Sequence, residues 1–278
     1  GNPFNLRAVK AFCDKYDLWL VEDNCDALGT QYTMEEDGSE VTRFTGTIGD
    51  IGTSSFYPPH HMTMGEGGAV YTDNGLLNRI MRSFRDWGRD CVCPSGCDNL
   101  CGHRFDRQYG ELPLGYDHKY VYSHFGYNLK ATDLQASIGC AQLEKFPSFV
   151  ERRKHNFARL KAGLAGTEDA YILPVACEHS DPSWFGFLLT CQEGVDRNKV
   201  VKYVEEKGVQ TRMLFAGNLI KHPCFDEMRK ENCGYRVAGT LENTDRIMRD
   251  TFWVGVYPGM TDEMIDYMAK TLREACRQ

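Results

Sequence analysis

The stretch VEDNCDALG at residues 21–29 contains the strongest indication of the fold. An apolar run of strand length leads into it, and this run ends in two acidic residues, Asp23 and Asp26, with Cys25 between them. Residues 6–13 have apolar side chains at helical spacing, so the order is a helix followed by a buried strand. This order is typical of the interior of an alternating α/β sheet, in which ligands bind at the carboxyl ends of strands. The alternative is that the two acids are a turn residue and a helix N-cap.

The stretch SSFYPPHHMTMGEGG at residues 54–68 predicts a second polar loop at a strand end. Paired prolines and a glycine-rich turn make the loop rigid, and the apolar segments 51–57 and 68–72 on either side predict strands. The loop carries the adjacent histidines His60 and His61. A lone histidine is usually structural, but a pair at a strand end, opposite a strand end that bears acids, favours a functional role.

The order of predicted helices and strands along the whole chain indicates two domains. A large α/β domain covers residues 1–160 and includes a cysteine-rich, irregular insertion at 88–120, and a small α+β domain covers 161–278. A polar, glycine-containing segment at 32–45 predicts a loop or a hairpin. Because no strand precedes the first helix, we expect the chain to lack the N-terminal part of the sheet.

The composition excludes several classes of function. The chain has 42% hydrophobic and 26% charged residues and a net charge of −7, which is ordinary for a globular protein. No Lys/Arg run exceeds three residues, which argues against a nucleic-acid groove or an anionic membrane surface as the partner. No apolar stretch approaches the roughly 20 residues of a membrane span, and no signal pattern is visible. We therefore expect a cytoplasmic protein with metabolites and proteins as partners.

The cysteines are unusual because a chain with a large core needs no disulfide framework. Four of the twelve, Cys91, Cys93, Cys97 and Cys101, fall within eleven residues. In a cytosolic protein such a group favours a metal or iron–sulfur site over disulfides. The spacing is not that of a zinc ribbon, although a local zinc site or a loop of reduced thiols is the alternative.

Five motifs in order resemble a known family: GNPFNL, VEDNCDALG, GDIGTSSFYPPHH, GEGGAVYT and GYNLKATDLQASIGCAQLEK. The chain resembles the DegT/DnrJ/EryC1/StrS sugar aminotransferase family over nearly its whole length. The resemblance implies fold type I of the pyridoxal phosphate (PLP)-dependent transferases, with a partial large domain built on a mainly parallel sheet and a small α+β C-terminal domain.

The resemblance also implies roles for individual residues. Asp23 matches the acid that binds the pyridine nitrogen and keeps it protonated, so that the ring accepts electrons. Asp26 stands where the family usually has glutamine near the ring hydroxyl. Ser55 matches a serine that holds the cofactor phosphate. Asn128 matches a position near that phosphate from the neighbouring subunit, which implies a homodimer.

His60 occupies the position at which the aminotransferases carry the lysine that binds the cofactor covalently. Imidazole forms no such bond but transfers protons, so the exchange implies dehydration in place of transamination. His61 is the rival for this role. The exchange is similar to that of the 3-dehydrases that make 3-deoxy sugars. One kind uses pyridoxamine phosphate alone on a GDP-sugar, and the other uses pyridoxamine phosphate with a [2Fe–2S] cluster on a CDP-sugar.

The cysteines distinguish these two kinds by resemblance. Cys91, Cys93 and Cys101, with Cys25 as a distant fourth, match the cluster ligands of the iron–sulfur kind, and Cys97 competes with Cys25. The resemblance then implies C3 dehydration of CDP-4-dehydro-6-deoxy-D-glucose in 3,6-dideoxyhexose synthesis for O-antigen. It also implies a partner, a flavin and iron–sulfur reductase that uses NADH. The rivals are a sugar aminotransferase, a GDP-sugar dehydratase without a cluster, and a non-catalytic metal-binding fragment.

Two further expectations follow from the resemblance. The segments 211–223 and 249–261 resemble the same subgroup, so Arg212 and Asn218 are candidates for substrate contact, with a salt bridge and a turn cap as the alternative. Family members place a cofactor-phosphate loop before the GNPFNL motif, so we expect these 278 residues alone to have little activity.

Overall fold

The computed structural model describes residues 1–94 and 96–277, which form two compact units. The N-terminal unit comprises Leu6–Leu28 and Met34–Glu144, and the C-terminal unit comprises Gly1–Asn5, Gly29–Thr33 and Lys145–Gln278. The predicted domain boundary after residue 160 stays a prediction. No helix in the described parts of the chain is long and apolar enough to cross a membrane.

The N-terminal unit is built around a three-stranded sheet. The first seven elements along the chain are α1 (Leu6–Tyr16), β1 (Val21–Asp23), β2 (Gln31–Glu36), β3 (Ser39–Phe44), β4 (Ile51–Ser55), β5 (Gly68–Tyr71) and α2 (Gly75–Arg85). The sheet has the order β1-β4-β5, in which β1 runs parallel to β4 and β5 runs antiparallel to it. Side chains alternate along these strands, so Glu22, Gly52 and Ser54 are buried on one face.

The predicted buried strand before VEDNCDALG is wrong over its first part. Leu18 is 49% exposed and Trp19 is 67% exposed, and strand β1 begins only at Val21. Leu20 is the first buried residue of this run, and its backbone N–H donates to Oδ2 of Asp50 at 2.7 Å. The apolar run therefore turns into the sheet at Leu20, and the two residues before it stay outside.

The segment predicted as a loop or hairpin is a hairpin of β2 and β3. Asp37 and Gly38 form the turn with positive φ values of 52° and 76°, which suits an Asp-Gly hairpin turn. Arg43 pairs with Glu36 across the two strands at 2.6 Å. Asp37 and Gly38 are therefore turn residues, whereas Glu36 ends β2.

The C-terminal unit packs helices against an antiparallel sheet. The remaining elements are α3 (Asp133–Gly163), which begins in the N-terminal unit, β6 (Tyr171–Ile172), β7 (Ser180–Asp181), β8 (Gly186–Cys191), α4 (Arg197–Glu206), β9 (Thr211–Met213), α5 (Asp226–Glu231), α6 (Glu242–Asp250), β10 (Thr251–Gly255) and α7 (Asp262–Ala275). The sheet order is β6-β8-β10-β9. Phe157 of α3 stacks on Trp184 with 3.6 Å between ring centroids, beside the buried Phe187 and Phe252.

Candidate active site

The carboxyl ends of β1 and β4 bring predicted polar residues to one side of a sheet. Asp23 lies opposite Thr53 in the parallel register, and the Thr53 hydroxyl donates to Oδ1 of Asp23 at 3.2 Å. Ser55 ends β4 and points to the same face as Thr53, because side chains alternate along a strand. Asp23 and Ser55 therefore share a face at the strand ends, where open α/β sheets bind ligands.

Glu22 lies on the opposite face and supports this strand end. The sequence patterns did not predict this role. Glu22 is 4% exposed, and its carboxylate accepts hydrogen bonds from the backbone N–H groups of Gly46, Ile48 and Gly49 at 2.6–2.8 Å. A Cβ at Gly52 would lie 1.9 Å from the carbonyl oxygen of Gly46, so the loop before β4 packs directly on the strand. Glu22 thus anchors the loop that leads into β4.

His60 and Asp26 meet at these strand ends. Nε2 of His60 lies 3.2 Å from Oδ1 of Asp26, and both side chains are largely buried, with 15% and 25% exposure. The Tyr57 ring contacts the imidazole edge-on, with centroids 5.5 Å apart. His61, the rival residue, is 2% exposed and packs into the interior. A carboxylate beside one ring nitrogen can orient an imidazole, which is the arrangement of a general acid or base with a positioning residue.

Cys25 lies beside the same carboxylates. Its backbone N–H donates to Oδ1 of Asp23 at 3.2 Å. Burial raises the pKa of the Cys25 thiol to about 11, with further contributions from the negative charge of Asp26 and the hydrogen bond to Asp23. The thiol is therefore neutral at pH 7 unless a cation binds it.

Three other cysteines interact with one another in the irregular insertion. Burial raises the pKa of the Cys91 thiol, which also interacts with the neighbouring Cys93 and Cys101. Sγ of Cys101 accepts the backbone N–H of His103 at 3.4 Å and lies 3.6 Å from Nδ1 of His118. These two contacts lower the pKa of Cys101.

Cys97, the competitor for a fourth position, is exposed. Among residues 1–94 and 96–277, no three His, Cys, Asp or Glu side chains are arranged to hold one metal ion.

Ion pairs order the insertion around these thiols. Arg104 binds Asp117 through two hydrogen bonds of 2.9 and 2.8 Å, and Lys119 binds Asp98 at 2.6 Å. The Arg104 guanidinium lowers the pKa of Asp117 to about 2. Nε2 of His118 lies 2.7 Å from Oδ2 of Asp90. Ion pairs therefore hold the described part of the insertion, residues 88–94 and 96–120, which contains almost no regular secondary structure.

The other candidate residues lie on different segments. Asn128 forms an antiparallel bridge with Asp86 and has an exposed side chain. In the C-terminal unit, Asn218 is 2% exposed and its amide donates to Oδ1 of Asp245 at 2.7 Å. Arg212 is exposed and donates to the carbonyl oxygen of Thr211. The internal partner of Asn218 favours a structural role for that residue over substrate contact.

Comparisons with known proteins identify the family. Residues 1–273 match the DegT/DnrJ/EryC1/StrS aminotransferase family. The chain is 58% identical over 276 residues to the lipopolysaccharide biosynthesis protein RfbH of Salmonella typhimurium, covering 99% of this chain and 60% of RfbH. It is 49% identical over 276 residues to dTDP-4-dehydro-2,6-dideoxy-D-glucose 3-dehydratase of Saccharopolyspora spinosa, covering 99% of this chain and 57% of that protein. The chain thus spans about 60% of the length of these curated relatives.

A solved structure has the same fold. The structure of E. coli GDP-4-keto-6-deoxy-D-mannose-3-dehydratase with bound hydrated PLP matches with a TM-score of 0.75 at 24% identity, covering 98% of this chain and 64% of that one. This likeness confirms the predicted fold type I of the PLP-dependent transferases. Within the part described here, the N-terminal-unit sheet has one parallel and one antiparallel strand pairing.

Proposed function

Since the chain belongs to the DegT/DnrJ/EryC1/StrS aminotransferase family, we propose that its protein removes the C3 hydroxyl group of a nucleotide-linked 4-keto sugar instead of aminating the sugar. The proposed substrate is CDP-4-dehydro-6-deoxy-D-glucose, and the product serves 3,6-dideoxyhexose synthesis for O-antigen. The proposed cofactors are pyridoxamine phosphate and a [2Fe–2S] cluster. Similarity to a lipopolysaccharide biosynthesis protein and to a sugar 3-dehydratase supports this reaction class.

The observation that carries the proposal is the His60–Asp26 pair at the strand ends. Covalent attachment of PLP requires a lysine amine, and residues 16–118, which contain β1, β4 and β5 with their loops, include no lysine. The residue available at this position is an imidazole with a carboxylate at one nitrogen. Such a group moves protons and does not anchor a cofactor covalently. This chemistry suits proton removal followed by loss of a hydroxyl group.

We assign the binding of pyridoxamine phosphate to residues on the same face of the sheet. When bound, this cofactor supplies an amine that condenses with the C4 ketone and a ring that accepts electrons. Asp23 at the end of β1 would hold the pyridine nitrogen, and Ser55 at the end of β4 would hold the phosphate. Their shared face at neighbouring strand ends supports both roles. The exposed side chain of Asn128 would reach the phosphate of the cofactor that is bound in a second subunit.

Asp26 has a second proposed role as the positioning residue of His60. We predicted it to contact the cofactor ring, and its carboxylate lies 3.2 Å from the His60 imidazole. One carboxylate at this position can orient the base and also face the ring. His60, held in this way, would remove a proton from the amine-bearing methylene carbon of the bound cofactor and pass it to the departing C3 hydroxyl, which would leave as water.

The thiols fit a [2Fe–2S] cluster by their chemistry. In such a cluster two thiolates bind each iron. The site therefore requires two pairs of cysteines, and it does not require three protein side chains around a single metal ion. The interacting thiols of Cys91 and Cys93 supply one pair. We propose Cys101 and Cys25 as the other pair, because the family resemblance matches these two residues to cluster ligands. The free thiol of Cys25 is neutral at pH 7, so cluster binding there would release a proton.

The proposal includes partners. Loss of the hydroxyl group must be followed by a two-electron reduction, so we propose a flavin and iron–sulfur reductase that takes electrons from NADH. We also propose a homodimer, which is supported by the exposed aromatic side chains beside Asn128, namely Phe125 at 98% and Tyr127 at 64%. A cytoplasmic location stays a prediction.

The experiment combines metal analysis with a choice of substrates. The full-length protein is purified anaerobically, analysed for iron and sulfide, and incubated with pyridoxamine phosphate, a reductase, and CDP-, dTDP- or GDP-linked 4-keto-6-deoxy sugars. We expect two irons and two sulfides per chain and a 3-deoxy product from the CDP-sugar. A 4-amino sugar formed with an amino donor would overturn the dehydration proposal. Full turnover without iron, or preference for GDP- or dTDP-sugar, would overturn the cluster or the nucleotide assignment.

A further inference from the structure

A group of side chains in the insertion surrounds one of the proposed cluster cysteines. Sγ of Cys101 lies 3.6 Å from Nδ1 of His118, and the other ring nitrogen of His118 lies 2.7 Å from Oδ2 of Asp90. The ring of Tyr109 stacks on the imidazole, with centroids 5.0 Å apart and 7° between the planes. The sequence places these residues up to 28 positions apart, so only the folded insertion brings them together.

The imidazole of His118 is held from three directions. Its side chain is only 12% exposed, Asp90 contacts one nitrogen, and Tyr109 covers one ring face. The 3-10 turn His118–Tyr120 fixes its backbone. The side chain of Asp117 caps this turn, and Asp117 is itself held by Arg104. A ring constrained in this way cannot turn its Nδ1 away from Cys101 without breaking these contacts.

We propose that His118, oriented by Asp90, is a positioning residue that holds Cys101 as a cluster ligand and favours the reduced state of the cluster. The inference rests on the proposed function, because it requires that Cys101 bind iron. The Asp90 carboxylate only accepts, so His118 donates to the sulfur from Nδ1 when both of its ring nitrogens carry a proton, a form that the adjacent carboxylate favours. Hydrogen bonds to the sulfur ligands disperse the negative charge that reduction adds, and they raise the reduction potential of iron–sulfur clusters. Outer contacts of this kind also fix the ligand and slow loss of the metal.

The surroundings of Cys101 differ from those of Cys25. Its sulfur has two polar contacts, the backbone N–H of His103 and the imidazole of His118. Cys25 lies instead beside the carboxylates of Asp23 and Asp26, whose negative charge opposes further negative charge on the sulfur.

The test uses His118→Gln and His118→Phe in the full-length protein, with Asp90→Asn as a second variant that keeps the shape of the site. His103→Gln is the matched control, because its imidazole contacts Asp106 and its backbone N–H to Cys101 is unchanged. Each protein is reconstituted anaerobically with iron and sulfide. The readouts are the midpoint potential, followed by electron paramagnetic resonance, and the rate of iron loss to a chelator. Circular dichroism checks that each variant is folded.

We expect the ratio of reduced to oxidised cluster at a fixed potential to fall about tenfold in His118→Phe, which is about 59 mV for a one-electron couple. Iron loss should be about tenfold faster, with Asp90→Asn intermediate and the control unchanged. A parent protein that takes up iron and does not differ from folded His118→Phe in either readout overturns this inference alone. A parent protein that takes up no iron overturns the proposed cluster and this inference together.

Discussion

Replacing Glu22 by glutamine tests how the strand end is supported. In the parent protein Oε1 accepts from Ile48 and Gly49, and Oε2 accepts from Gly46. The single amide oxygen of glutamine keeps the first two bonds, but its NH₂ group then faces the N–H of Gly46. A buried donor without an acceptor costs about 1–3 kcal/mol, and loss of the negative charge weakens the other two bonds by about 1 kcal/mol each. The free energy of unfolding should fall by about 3–5 kcal/mol.

Differential scanning calorimetry measures this change. At about 2–4 °C per kcal/mol for a protein of this size, the transition that includes the N-terminal unit should move down by roughly 10 °C. Asp23→Asn is the matched control, since it makes the same chemical change at the next residue, whose side chain is exposed. We expect the control to change the free energy of unfolding by less than about 1 kcal/mol. Equal shifts in the two variants, or no shift in Glu22→Gln, would refute the anchoring role of Glu22.

Three further predictions concern the site and the C-terminal unit. His60→Asn should lower the rate of C3 dehydration about 10²–10⁴-fold and Asp26→Asn less, since it only orients the base; single-turnover kinetics of folded variants measure both. The hydrogen bond from Arg152 lowers the pKa of Asp262 below 3.8, so the ionised carboxylate stabilises the fold above that pH, and this contribution is lost as the pH falls through the lowered pKa. The free energy of unfolding of Asp262→Asn should therefore depend less on pH in the acid range, and an unchanged pH dependence would show that the ion pair contributes nothing. Phe157→Ala should cost about 3–5 kcal/mol in urea unfolding, because it removes the ring stacked on Trp184, and a loss under 1 kcal/mol would contradict that packing.

The positions of the strand-end residues were predictable because local patterns determine them. An apolar run followed by acids, and a rigid polar loop between two apolar segments, indicate two strand ends before any contact is known. The pairing of β1 with β4 then brings Asp23 and Thr53 together. Alternation along a strand also offered a signal for Glu22, which lies between two residues of the opposite face. Its partners lie 24 to 27 residues further along the chain, and no local pattern identifies them.

The contacts of the insertion were not predictable either, because the partners lie far apart in the sequence and follow no local pattern. The cysteine spacing indicated a thiol group, but the contact of Cys101 with His118 spans 17 residues of irregular chain. That contact depends on the Arg104–Asp117 pair and on the stacking of Tyr109, which follow no period in the sequence. The exposed positions of Leu18 and Trp19 were missed because a run of apolar residues does not reveal where the chain enters the sheet.

The most direct test of the account is the fate of the C3 oxygen of the substrate. The full-length protein is incubated with pyridoxamine phosphate and CDP-4-dehydro-6-deoxy-D-glucose in ¹⁸O-labelled water without a reductase, and the recovered sugar is analysed by mass spectrometry. Reversible loss of the hydroxyl group through His60 should place ¹⁸O at C3 in the parent protein and much more slowly in His60→Asn. Formation of a 4-amino sugar with no label at C3 would contradict the account.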